Sequence, residues 1–141
     1  MTLQQFFRLA MISRFQNMLN PMLSPNDYYQ AKPFILPRIR CKDGFSVSYQ
    51  IGSTHYCESN NGYRVLGDTW KMVEFGFPSY KEELLEPHKE EEDEPLTNSV
   101  GMIPIEIAQQ VIDKHGGIDF DKTLSVDAFK DYVLSVEDFK D

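Results

Sequence analysis

His55 and Cys57 are the most closely spaced side chains in this chain that could bind a metal or supply a nucleophile. Two positions apart, they would share one face of a strand. Cys41 adds a third donor, and His88 or His115 could complete the four N/S ligands that structural zinc takes. The pattern lacks the paired knuckles of zinc sites, because no Cys-x-x-Cys occurs. The same residues could form a thiol nucleophile and its base, but neither cysteine stands at a glycine-rich helix start that would lower its pKa. Cys41 and Cys57 are therefore read as free thiols, with a disulfide and metal ligation as the alternatives. The glycines never take phosphate-loop or dinucleotide spacing, and no cofactor is expected.

Charge gives the second candidate. Residues 1–72 hold eight Lys/Arg against four acids, whereas residues 73–141 hold six Lys against eighteen acids, within a net charge of −8. So lopsided a field selects partners of opposite charge. The acids most open to that role are Glu90, Glu91, Glu92, Asp93 and Glu94 in one run, with Asp127, Asp131, Glu137 and Asp138 in the tail. They would dock electrostatically onto a basic protein surface. Arg38, Arg40 and Lys42, with Tyr49 and Tyr56 as stacking surfaces, are too few for direct nucleic-acid binding by a net-negative chain.

These side chains need elements to hold them. Lys42-Asp43-Gly44 is a turn signal, and after it Phe45, Val47, Tyr49 and Ile51 alternate with Ser46, Ser48 and Gln50. That period of two predicts a strand with one buried and one wet face. His55-Tyr56-Cys57 could extend another strand before the turn at Asn60-Asn61-Gly62. Tyr63–Leu66 could pair next, with Gly67-Asp68 as a further turn. Thr69–Phe77 changes apolar parity between Met72 and Val73, which suggests a bulge.

Ser79 and Glu82 carry a capping-box pattern for a short helix ending before Pro87, and the acids after it predict a solvated, mobile loop. Pro104, Glu106, the stripe Ile107, Ala108, Val111 and Ile112, and the stop at Gly116-Gly117 predict the best helix of the chain. At the N-terminus Leu3, Phe6, Phe7, Ala10 and Met11 take helical spacing, and the prolines from Pro21 to Pro37 favour an extended lead-in. The tail repeats itself: Leu124–Asp131 recurs as Leu134–Asp141.

The expected fold is α+β: a small antiparallel sheet over about 38–77, packed by a helix at 104–115, with helices at both termini. Residues 1–20 would be an amphipathic helix, and 21–141 a single domain carrying an acidic loop at 86–95 and a repeated helical tail at 124–141. No apolar run approaches the ~20 residues that cross a bilayer, so no membrane partner is expected. Arg14 interrupts the only apolar core a leader could use, which favours a cytosolic chain.

Leu36–Ser48, His55-Tyr56-Cys57, Glu74–Ser79, Ile103–Glu106 and His115–Ile118, in that order, resemble small accessory proteins of tailed bacteriophages. The likeness spans roughly residues 35–119. It implies a setting, the cytoplasm of an infected bacterial host, and no catalytic residue. With the charge asymmetry, it leads to the expectation of a non-enzymatic protein that binds a basic bacterial host protein, for host takeover or anti-defence. The alternatives are a small metal- or thiol-dependent enzyme at His55/Cys57, and a virion or assembly component that forms homo-oligomers through its terminal helices.

Overall fold

The turn at residues 42–44 organises the first hairpin in a computed structural model of the chain, in which residues 1–8, 36–52, 55–62 and 69–123 are described. Gly44 adopts φ 99, which an L side chain would resist. The Cys41 N–H donates to the Phe45 carbonyl at 2.7 Å. Strand β1 (Ile39–Arg40) then pairs antiparallel with β2 (Ser46–Gln50).

The alternation in β2 holds on its core side, where Phe45, Val47, Tyr49 and Ile51 are all buried. Its other side is not wet, contrary to the expectation from alternation. Ser46 and Gln50 are buried as well, because residues 36–38 lie across them. The Gln50 amide accepts the Leu36 N–H and donates to the Leu36 carbonyl, at 2.7 and 3.0 Å. Arg38 donates to the Ser46 hydroxyl, the Ser46 carbonyl and the Phe77 carbonyl.

The centre of the sheet is β4 (Trp70–Gly76), which has three antiparallel partners. Along one edge β2 pairs with residues 74–76 and the short β3 (Glu58–Ser59) with residues 70–72. The register slips where Glu58 faces Met72 and Ser59 faces Trp70, leaving Lys71 as the extra residue. This is the irregularity that the parity change predicts. His55 and Tyr56 form a bend rather than extending β3, which begins only at Glu58.

The opposite edge of β4 carries β5 (Val100–Pro104), so the sheet reaches beyond the expected limit at residue 77. Pro104 ends β5 and helix α2 (Ile105–Lys114) starts at once, without a loop. Ile105, Ala108, Val111 and Ile112 bury one face of α2 against the sheet. The Gly117 N–H donates to the Ile112 carbonyl and the Gly116 N–H to the Asp113 carbonyl, both glycines at positive φ. That double bond pattern is a Schellman stop.

Residues 3–8 form the first helix, α1, whose Leu3, Phe6 and Phe7 join the same core. Thr2 and Gln5 cap it reciprocally: Gln5 N–H donates to the Thr2 hydroxyl and Thr2 N–H to the Gln5 side-chain Oε1. The Gln4 amide bonds both the N–H and the carbonyl of Trp70, extending the β4 edge past the point where Pro104 can donate nothing. After α2, residues 117–119 cover the outer edge of β1, and the short helix α3 (Phe120–Thr123) offers the Thr123 hydroxyl to Arg40 N–H. The rest of the N-terminal helix, most of the proline-rich lead-in, the pairing of Tyr63–Leu66 and the repeated tail lie outside the described residues.

Candidate functional site

Segment 79–99 does not form the expected helix. Ser79 is instead bound to β2, its hydroxyl accepting the Ser46 N–H at 2.9 Å and its own N–H donating to the Ser46 carbonyl at 2.8 Å. Glu82 is not a cap: it points inward and is 1% exposed. Pro87 lies inside a single 3-10 turn, Glu86–His88, rather than beyond a helix end. A second 3-10 turn, Leu96–Asn98, inserts buried Leu96.

The acidic run leaves this frame as an exposed loop, as expected, anchored to β5 at its start. Lys89 bridges to Gly101, and the Glu90 N–H donates to the Val100 carbonyl at 3.0 Å. Glu90, Glu91, Glu92, Asp93 and Glu94 are all exposed. Among the described residues none of these five carboxylates forms an ion pair with a lysine, arginine or histidine. Lys89, the nearest cation in sequence, is committed to the Glu86 carboxylate at 2.8 Å and the Glu94 carbonyl at 3.2 Å. Glu90, Glu91 and Glu94 line an open pocket of about 260 Å³ with Asn98, Ser99 and Val100. Asp127, Asp131, Glu137 and Asp138 lie outside the described residues.

Several carboxylates elsewhere are satisfied internally. The most complete case is a cluster that sequence reasoning missed, where the C-terminal end of α2 meets the β1–β2 turn and the 79–82 segment. His115 Nδ1 lies 2.6 Å from Asp43 Oδ2, and its Nε2 lies 2.6 Å from Glu82 Oε2. Lys114 Nζ donates to the other Glu82 oxygen at 2.7 Å. The Phe45 ring stacks on the imidazole at 4.1 Å and Tyr80 meets it edge-on.

Burial opposes charge on His115, but hydrogen bonds from Glu82 and Asp43 outweigh it and raise its pKa. Burial likewise opposes charge on Glu82, and the bonds from Lys114, His115 and the Leu84 N–H outweigh it and lower its pKa. The Phe45 N–H, then His115, lower that of Asp43. With both ring nitrogens engaged by carboxylates, this ring has no position left to serve as a base. His115 and Lys114 set between two carboxylates make a structural clamp.

The thiol and metal candidates are not brought together in this way. Cys41 is buried, and burial, helped by Asp43, pushes its thiol up to about 12. Cys57 folds back on Gly52, its sulfur donating to the carbonyl at 3.1 Å and accepting the N–H at 3.3 Å. His55 turns to Glu74, Nδ1 to Oε1 at 3.3 Å, and Tyr56 N–H donates to the same carboxylate at 2.9 Å. Among the described residues no group of three or more His, Cys, Asp or Glu has metal-holding geometry. Of the stacking candidates, Tyr49 is buried, its hydroxyl donating to the Ala108 carbonyl at 3.3 Å. Among the described residues no helix is long and apolar enough to cross a membrane. No family model, curated protein or solved structure matches the chain.

Proposed function

We propose that this chain is a non-enzymatic binding protein that docks onto a basic surface of another protein through Glu90–Glu94. The observation that carries the reading is the contrast within the acids: Glu82, Glu86, Glu58 and Asp43 are paired to cations of the chain, whereas the 90–94 run is exposed and unpaired among the described residues. Anchoring the run to β5 at Glu90 lowers the ordering cost of binding. Their field speeds encounter with a cationic partner.

The resemblance to tailed-phage accessory proteins supplies the setting. The partner is then a bacterial host protein, bound in the host cytoplasm and inhibited or redirected, in host takeover or anti-defence. The tail acids Asp127, Asp131, Glu137 and Asp138 would add to the same attraction. Changing all five residues of Glu90–Glu94 to their amides should abolish capture of a basic protein from a bacterial lysate at low salt. It should also flatten the salt dependence of what remains. Undiminished capture by the amide variant would reject these residues as the docking surface.

A further inference from the structure

Ser46 lies across from Arg40 in the β1–β2 ladder, and the Arg38 guanidinium rests on the same residue. Arg38 Nε donates to the Ser46 hydroxyl at 2.8 Å, and Nη2 donates to the Ser46 and Phe77 carbonyls. Three bonds to neutral oxygens fix the plane of the guanidinium without cancelling its charge. Its Nη1 edge has no partner among the described residues. Arg40 is exposed, and only its backbone is bonded among the described residues. A half-buried charge ordinarily meets an opposite one. Here burial, and then Arg40 beside it, lower the Arg38 pKa. No carboxylate pairs with either arginine among the described residues. Phe77 adds a second sign of a built site. Among the described residues it alone, other than glycines, has positive φ, at 51. Arg38 holds its carbonyl, and its N–H donates to the Ser99 carbonyl at 3.0 Å. Such strained backbone persists where surrounding bonds over-determine it, commonly at ligand clamps.

We propose that Arg38 Nη1 and the Arg40 guanidinium, beside Ser46 on the β1–β2 hairpin, together bind one phosphate group. Two guanidiniums bring two positive charges, which a phosphate near pH 7 matches and a single carboxylate does not. The tetrahedral oxygens of phosphate can face two donors that do not share a plane, whereas one planar fork uses both oxygens of a carboxylate. The orientation of Arg38 is set before the anion arrives, which lowers the ordering cost of binding. Two arginines are too few to follow a nucleic-acid backbone and enough for one phosphate. The site lies in the basic half of the chain and does not depend on the docking reading above.

The test titrates the full-length protein with sodium phosphate and with adenosine monophosphate, the ionic strength held constant with chloride. Backbone amide and arginine Nε–H NMR shifts follow the binding. Saturable shifts should gather at Arg38, Arg40, Ser46 and Phe77. Arg40→Gln should weaken both ligands about tenfold, the scale of one hydrogen bond to a charged group. Arg40→Met is a second uncharged variant and should do the same. Sodium acetate should bind roughly tenfold more weakly than phosphate, for want of the second charge. Tighter binding of the nucleotide identifies a phosphomonoester as the ligand, and equal binding identifies the free ion; both support the site. Shifts that never saturate, or that saturate elsewhere in the chain, overturn it. Unchanged phosphate affinity in an Arg40 variant whose amide spectrum is otherwise that of the natural chain also overturns it, as does an equal response to acetate.

Discussion

The end of helix α2 and the arm at residues 86–94 are both built around carboxylates, and they use them in opposite ways. At the helix end two acids enclose His115, with Lys114 closing the cluster, and Glu82 is almost wholly removed from water. On the arm five acids stand in solvent with no cation of the chain against them among the described residues. The first arrangement converts charge into fixed geometry, because each group is held only while its partners stay charged. The second leaves the charge available outside the molecule. Burial and pairing, rather than residue type, decide which acids hold the fold and which can meet a partner.

The largest effect should come from breaking the buried side. Glu82→Ala leaves His115 and Lys114 without their shared acceptor, and removing one partner of a buried ion pair costs about 3 kcal/mol or more. Urea unfolding should show the lower midpoint at an unchanged slope. A change below ~1 kcal/mol would mean the cluster holds nothing together. Next is Gly101→Ala. A Cβ there would meet the His88 carbonyl oxygen at 2.2 Å and the Phe75 ring at 2.7 Å. The backbone of the arm must move, at roughly 2 kcal/mol. That variant should also lose the Lys89–Gly101 bridge, read as faster amide exchange at Glu90.

The pH dependence of the buried cluster carries both signs. His115 is raised above its ordinary 6.5, so its contribution is complete below pH 6.5 and is lost as pH climbs through the folded value. Asp43 and Glu82 are lowered from 3.8 and 4.5, so theirs is complete above those values and is lost as pH falls through the folded ones. Stability should therefore have a plateau between about pH 4.5 and 6.5 with a slope on each side. His115→Asn should flatten the alkaline slope. Urea midpoints across the range check this, and an unaltered alkaline slope in the variant would place the titration elsewhere.

How legible all this was in the sequence follows from the range of each signal. The β2 core face, the turn at Gly44, the bulge near Met72 and the stop at Gly116-Gly117 depend on neighbours in sequence, and each is where local pattern puts it. The apolar stripe of α2 keeps the expected Ala108, Val111 and Ile112 and gains Ile105, while Ile107 is only partly buried at its margin. β5 was not visible, because five residues with Gly and Pro among them give too short an alternation, fused directly to a helix.

The buried cluster was not visible either. Asp43 and His115 are 72 positions apart, and each member has a plausible local role: a turn residue, a cap, two helix-dipole partners. A capping-box motif describes Glu82 as well as a buried ion pair does, and only the chain path from Ser79 to β2 decides between them. The exposed run at 90–94 was legible as charge, but its attachment to β5 was not. Repulsion favours a free loop unless backbone bonds to a neighbouring strand offset it.

The smallest expected effect sharpens the comparison most. Changing Glu90, Glu91, Glu92, Asp93 and Glu94 to amides removes five like charges from one short arm. Surface charges without partners contribute little, so stability should move by no more than ~0.5 kcal/mol per the usual range of surface changes. The direction should be upward, because the repulsion among them opposes the bonded conformation of the arm. Salt discriminates further: added salt should stabilise the natural chain slightly more than the variant, since only the former has repulsion to screen. Paired urea titrations at low and raised salt measure both. A loss above ~1 kcal/mol in the variant would show that these acids hold the fold after all, and the two regions would then differ in exposure but not in role.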